Sequence, residues 1–178
     1  FPLVSQSETV RLAVAANFTD ATRILVSRFE KQTGHSVKTS FGSTGKLYAQ
    51  IIHGAPFDIL LAADTARPSR LVDEGLALKG SRFTYARGRL VLWGADEHLF
   101  DDGKAFLQQG NIHRLAIANP KTAPYGLAAQ QALKHLGVWE SLSSMLVRGD
   151  SIAQTFQFTA TGNAEAGLVA ASQVKAWP

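Results

Sequence analysis

Cysteine is absent from the chain. Without a thiol there is no thiol nucleophile, no zinc–thiolate site and no iron–sulfur cluster. The absence also fits an oxidising compartment, where stray disulfides are a hazard. Long apolar runs are missing too: none approaches the ~18–20 residues needed to cross a bilayer. Charge is sparse, with 18% of residues Asp, Glu, Lys or Arg, somewhat below the usual share. Methionine occurs once, at Met145, and the chain starts at Phe1. The expectation is that an initiator segment has been removed, a cleaved secretory signal being one natural explanation.

What is present suits a globular protein. Apolar residues make up 46% of 178, enough for one domain or two small lobes. The net charge is +4, yet Arg11, Arg23, Arg28, Lys31, Lys38 and Lys46 are scattered. There is no basic stripe with interleaved aromatics, so nucleic acid is not an expected partner.

The hydrophobic pattern predicts alternating strands and helices. A buried strand is expected at 10–16, then a helix over 18–33 with Phe18, Ala21, Leu25 and Phe29 on one apolar face, closed by Gly34. A second strand (36–41) leads into "GSTG", with Ser43 and Thr44 as candidate N-caps of a helix whose apolar face is Leu47, Tyr48, Ile51 and Ile52 and which Gly54 closes. A third strand, 57–64, leads to a helix capped by Asp64 or Thr65 and ending at Gly75. This βαβαβα order argues for a parallel sheet flanked by helices. A long β-rich segment at 82–94, interrupted by Gly88, reads as the crossover from one lobe to another. Beyond it, helices are expected at 103–109, 126–136, 138–144 and 151–160, and strands at 113–118, 145–148 and 166–171.

Four junctions share a chemistry. Asn17, the Ser43–Thr44–Gly45 turn, "NPKTAPYG" (119–126) and "GDSIAQ" (149–154) each place small or hydroxylated residues just before a helix. Ligands of open parallel sheets bind outside the carboxyl ends of the strands. Helix N-termini there offer free N–H groups and partial positive charge, so several together suit an anion without any Arg or Lys. Taken singly, each junction is more often an ordinary cap than a site.

Enzyme motifs do not fit. "FGSTGK" has two residues where the phosphate-cradling loop needs four, and it is not a G-x-S-x-G elbow. His35, His53, His98, His113 and His135 lack metal-ligand spacing. Asp101–Asp102 and Asp73–Glu74 read as loop or helix-end charges.

The stretches "AANFTDA", "SFGSTGKLYAQIIHGAPFDILLAAD", "GSRFTYARGRLVLW", "IANPKTAPYGLAAQQAL" and "GNAEAGLVAASQV" together resemble the periplasmic molybdate-binding proteins of bacterial ABC importers, over about residues 9–174. The resemblance implies an α/β type II periplasmic-binding-protein fold. Two lobes, 1–84 and 85–178, would join at a hinge crossover about 82–90, with the ligand in the cleft between them. It implies capture of molybdate, and of tungstate, by neutral donors, and delivery to an ABC permease of the inner membrane. By motif, the contacts are Ala16, Asn17 and Thr44 in the first lobe, and Tyr125 and Ile152 in the second. Ala16 and Ile152 could serve only through backbone N–H. No catalytic residue, cofactor or directly coordinated metal cation is implied. Another tetrahedral oxyanion such as sulfate or phosphate, or a non-transport oxyanion sensor, is the alternative.

There are departures from the family pattern. Some members carry a tyrosine where Ala170 stands, and some have serine in place of Asn17 and Thr44. Family chains usually continue well past the equivalent of Val174. The return to lobe one is therefore expected beyond Pro178, leaving an uncovered sheet edge. The expectation is a monomer, with self-association or weakened binding as the consequence of that edge.

Overall fold

The computed structural model describes residues 8–177. The chain divides into two compact units, Phe1–Phe83 and Thr84–Pro178.

Unit 1 holds a three-stranded sheet. Strand β1 (Thr9–Ala15) lies between β2 (Ser36–Gly42) and β3 (Ile59–Leu61), parallel to both. Flanked on both sides, β1 runs Leu-Ala-Val-Ala into the core, and its last three residues are buried, as in the central strand of a parallel sheet. At the sheet edge β2 alternates instead, with Val37 and Thr39 inward and Ser36, Lys38 and Ser40 exposed. Three helices complete the unit: α1 (Thr19–Thr33), α2 (Thr44–Ile52) and α3 (Ala66–Asp73). A short 3₁₀ turn, Ala16–Phe18, precedes α1.

The expected burial of the α1 face does not hold. Leu25 is 54% and Phe29 40% exposed, and Thr22 is the helix's one buried residue. Periodicity reveals which residues share a face, whereas cover depends on what packs there. Glu74 is the exposed helix-end charge expected, and it has partners as well. It follows α3, accepts from the Tyr48 hydroxyl of α2 at 3.1 Å, and pairs with Arg70 at 2.9 Å. A residue read as a helix-end charge thus ties α2 to α3.

Unit 2 is built on a four-stranded sheet in the order β4-β7-β5-β6, where β4 is Leu90–Trp93, β5 Leu115–Ala118, β6 Leu146–Gly149 and β7 Ala166–Ala170. Only β4 runs antiparallel, against β7; β5 is parallel to β6 and β7. The helices are α4 (Gly103–Gln109), α5 (Pro124–His135), α6 (Trp139–Leu142), α7 (Ile152–Ala160) and α8 (Ala171–Ala176). The core is apolar and continuous, with Leu115, Ile117, Leu133 and Leu142 fully buried. Trp93 stacks on Phe156 of α7 at 4.9 Å, and Trp177 meets both rings edge-on.

Within the β-rich segment expected at 82–94, strand is confined to β4, after the Gly88 interruption. Residues 82–89 form neither helix nor strand. The β-branched and aromatic run supplies propensity, but only Leu90 to Trp93 find pairing partners, from Ala170 to Gly167. Helix α8 is an addition to the expected elements. No helix among the described residues is long and apolar enough to cross a membrane.

Candidate functional site

In unit 1 two strand tips stand side by side. The register pairs Ala15 with Gly42, so the chain leaves β1 and β2 at the same end of the sheet. Ala16 and Asn17 follow one tip, and Ser43 and Thr44 follow the other. Ala16, Ser43 and Thr44 are buried, and Asn17 is half-buried. Small residues at both tips leave the backbone approachable.

Neither hydroxyl here is a cap, which corrects the sequence expectation. Ser43 occupies the N-cap position of α2 in extended conformation but makes no side-chain capping bond. Its Oγ is buried without a hydrogen-bond partner among the described residues. Thr44 sits one residue inside the helix, and its Oγ1 accepts the Ala63 N–H at 3.0 Å. The Thr44 hydroxyl therefore ties α2 to the turn after β3 and keeps its own proton for donation. At α3, Asp64 rather than Thr65 satisfies the first turn, accepting the Arg67 N–H at 2.9 Å.

Unit 2 repeats the arrangement. Ala118 of β5 is in register with Gly149 of β6, and the Asn119 N–H donates to the Gly149 carbonyl at 2.8 Å. After β5 the chain turns on Asn119, whose carbonyl accepts from Thr122 and Ala123 and whose Oδ1 accepts from Lys121. Pro124 then opens α5, where its missing N–H costs nothing. Tyr125 comes next and is buried. Gly126 lets this first turn lie on the strand end: a Cβ there would stand 2.2 Å from the Ala118 carbonyl oxygen. Desolvation of the phenol raises the Tyr125 pKa above the ordinary value. The group therefore stays protonated, a donor, at neutral pH.

After β6, Ser151 caps α7 by accepting the Gln154 N–H at 3.3 Å, and the Gln154 side chain accepts the Asp150 N–H at 2.7 Å. Ile152 begins the helix, where the first N–H groups have no acceptor within the helix. Its carbonyl accepts from Gln173 Nε2 at 3.3 Å, and Gln173 Oε1 accepts the Ala170 N–H at 3.2 Å. Gln173 thus fastens the start of α7 to the end of β7. Sequence reasoning passed over it; the one signal was a glutamine three residues past a strand end.

Helix charge separates the four junctions. The first turns of α2, α5 and α7 contain no acidic residue, whereas α1 carries Asp20. A carboxylate there offsets the positive end of α1, so the N-termini of α2, α5 and α7 keep more of their partial positive charge. The five expected contact residues are all uncharged side chains. The structure brings Ala16, Asn17 and Thr44 to the carboxyl end of the sheet in unit 1, and Tyr125 and Ile152 to the carboxyl ends of β5 and β6 in unit 2. Among the described residues no group of three or more His, Cys, Asp or Glu is disposed to hold a metal ion.

Residues 10–178 match the family model described as bacterial extracellular solute-binding protein. The chain belongs to that family. It is 56% identical over 170 residues to the molybdate-binding protein ModA of Azotobacter vinelandii, covering 96% of this chain and 68% of the relative. It is 51% identical to ModA of Rhodobacter capsulatus over 162 residues, 91% of this chain and 64% of that one. The chain thus spans about two thirds of the length of these relatives. The solved periplasmic molybdate-binding protein of A. vinelandii superposes with a TM-score of 0.87 at 44% identity, covering 90% of this chain and 71% of that one. A sulfate-binding protein from Mycobacterium tuberculosis, 16% identical, shares the fold with a TM-score of 0.67 over 92% of this chain and 64% of that one. The α/β architecture of mostly parallel sheets flanked by helices is that of the family's periplasmic binding proteins.

Proposed function

We propose that this solute-binding chain captures molybdate, and also tungstate, in the periplasm for delivery to an ABC permease. The observation that carries this reading is the 56% identity to a molybdate-binding protein over nearly the whole chain. The geometry supports it. Each unit sets two helix starts beside each other at the carboxyl ends of neighbouring parallel strands, with neutral donors in between. A dianion with no proton of its own needs donors and no acceptor, which fits uncharged N–H and O–H groups at helix N-termini. We assign Ala16 and Ile152 as backbone donors to the anion, and Asn17, Thr44 and Tyr125 as side-chain donors. The two units correspond to the two lobes of this reading, with the hinge at about 82–90. The ligand is cargo, and no catalytic step is assigned.

Calorimetry with molybdate, tungstate, sulfate and phosphate tests the assignment. Molybdate and tungstate are expected to bind tightly. Hydrogen phosphate brings a donor for which the five residues offer no carboxylate, and burying it unpaired costs about 1–3 kcal/mol. Sulfate is smaller and leaves its hydrogen bonds long. Sulfate or phosphate bound as tightly as molybdate overturns the assignment.

A further inference from the structure

Gly88 lies in the irregular segment that enters unit 2, two residues before β4. Its φ is not among the positive values that favour glycine, so no turn geometry requires it there. Space does. A Cβ on Gly88 would stand 2.0 Å from the Tyr125 Oη and 3.0 Å from its Cζ. The main chain at Gly88 is therefore laid directly against the hydroxyl end of the phenol.

The other end of Tyr125 is equally confined. Its neighbour Gly126 is pressed against the Ala118 and Asn119 backbone, where a Cβ would lie 2.2 and 2.7 Å away. The root of the side chain cannot retreat along the sheet, and its tip cannot advance past Gly88. Tyr85, three residues before Gly88, remains exposed, so the contact at the Tyr125 hydroxyl is that of Gly88 itself.

We infer that Gly88 is a positioning residue for Tyr125, fixing where the phenol hydroxyl can donate to the bound anion; this rests on the molybdate reading above. A Cβ at 88 cannot stay 2.0 Å from Oη, so the contact must open to at least about 3.0 Å, and on this inference it is the phenol that yields. That is a shift of about 1 Å, and an O–H···O bond has an optimum near 2.7–2.8 Å and little room beyond 3.0 Å. The inserted methyl therefore removes one charge-assisted donor without touching the ligand.

The test is a double-mutant cycle of Gly88→Ala and Tyr125→Ala, read by molybdate calorimetry. Gly88→Ala is expected to weaken binding roughly tenfold or more in the parent background, and to change it less than about twofold once Tyr125 is Ala. Parent-like affinity for Gly88→Ala overturns the inference, as does an equal loss in both backgrounds.

A ligand-free readout separates this inference from the molybdate assignment. In protein labelled at the tyrosine ¹³Cζ, Gly88→Ala is expected to move the Tyr125 resonance, identified by Tyr125→Phe, and to leave that of Tyr48 in place. An unmoved Tyr125 resonance overturns the inference whatever the chain binds. A parent that takes up no molybdate, with the resonance shifted, removes the ligand assignment alone. If Gly88→Ala fails to fold, the double variant is expected to fold like Tyr125→Ala; a double variant that also fails overturns the inference.

Discussion

Ser43 and Thr44 look interchangeable in sequence and behave oppositely in the fold. Thr44→Ala leaves the Ala63 N–H without its acceptor, and an unsatisfied buried donor costs about 1–3 kcal/mol. The same change removes the hydroxyl we assign as a donor to the anion. Urea unfolding and calorimetry should therefore both register it, with molybdate affinity falling tenfold or more and apo stability falling too. Ser43→Ala removes a buried oxygen that has no partner among the described residues. Its apo stability should hold or rise, whereas a fall of about 1 kcal/mol would mark it as a working cap. The residue types at the helix starts were legible from sequence. Their partners were not, because Thr44 binds backbone from a later strand's turn and Gly88 faces Tyr125 from far along the chain.

Tyr125 also predicts a pH response. Burial raises its pKa above the ordinary phenol value, so the neutral form is the one the fold favours. The stability this contributes is complete below the unfolded value of ~10 and is lost as pH rises through the higher folded one. Under the assignment of Tyr125 as a donor, phenolate also puts a negative charge beside the anion. Molybdate binding should therefore stay level through neutral pH and decline only on the alkaline side. Tyr125→Phe should flatten the part of that decline that belongs to Tyr125. Tyr48 and Tyr85 titrate upward as well, so the difference between parent and variant is the quantity to measure.

At the scale of elements, strand and helix order was legible because buried parallel strands and capped helices each have a local signature. Two elements escaped. The α1 face was read as buried because its spacing is helical and apolar, yet local spacing carries no information about cover. The segment 82–94 was read as β-rich and interrupted at Gly88, yet strand forms only on the far side of Gly88, because propensity is local whereas pairing is not. Helix α5 offers a sharper test. Its first turn depends on Gly126 lying against the Ala118 carbonyl, where a Cβ would come within 2.2 Å. Gly126→Ala must lift the helix from the strand end, so a loss of at least about 1–3 kcal/mol in unfolding free energy is expected. Parent-like stability would mean that α5 has room to shift.

At the scale of the molecule the two units are unequal. The large, fully buried side chains of unit 2 include Leu115, Ile117, Leu133, Leu142 and Val169; those of unit 1 are Val14, Thr22 and Thr44. Ile24, Leu25, Phe29, Phe41, Ile52 and Ile59 of unit 1 remain substantially exposed. Hydrophobic stabilisation scales with the apolar area removed from water. Hydrogen exchange should therefore find β1 and β2 opening at lower free energy than β5 and β7. Equal protection of the two sheets would contradict this ranking. The same inequality has an optical side. The chain's three tryptophans, Trp93, Trp139 and Trp177, all belong to unit 2, and Trp93 stacks on Phe156 of α7, the helix that Ile152 opens. Every indole reporter of the chain is thus housed in unit 2, with Trp93 and Trp177 against Phe156 of α7 and Trp139 beside Lys134 of α5. Loss of the Trp93–Phe156 stack on heating is expected to appear in the emission as unit 2 opens.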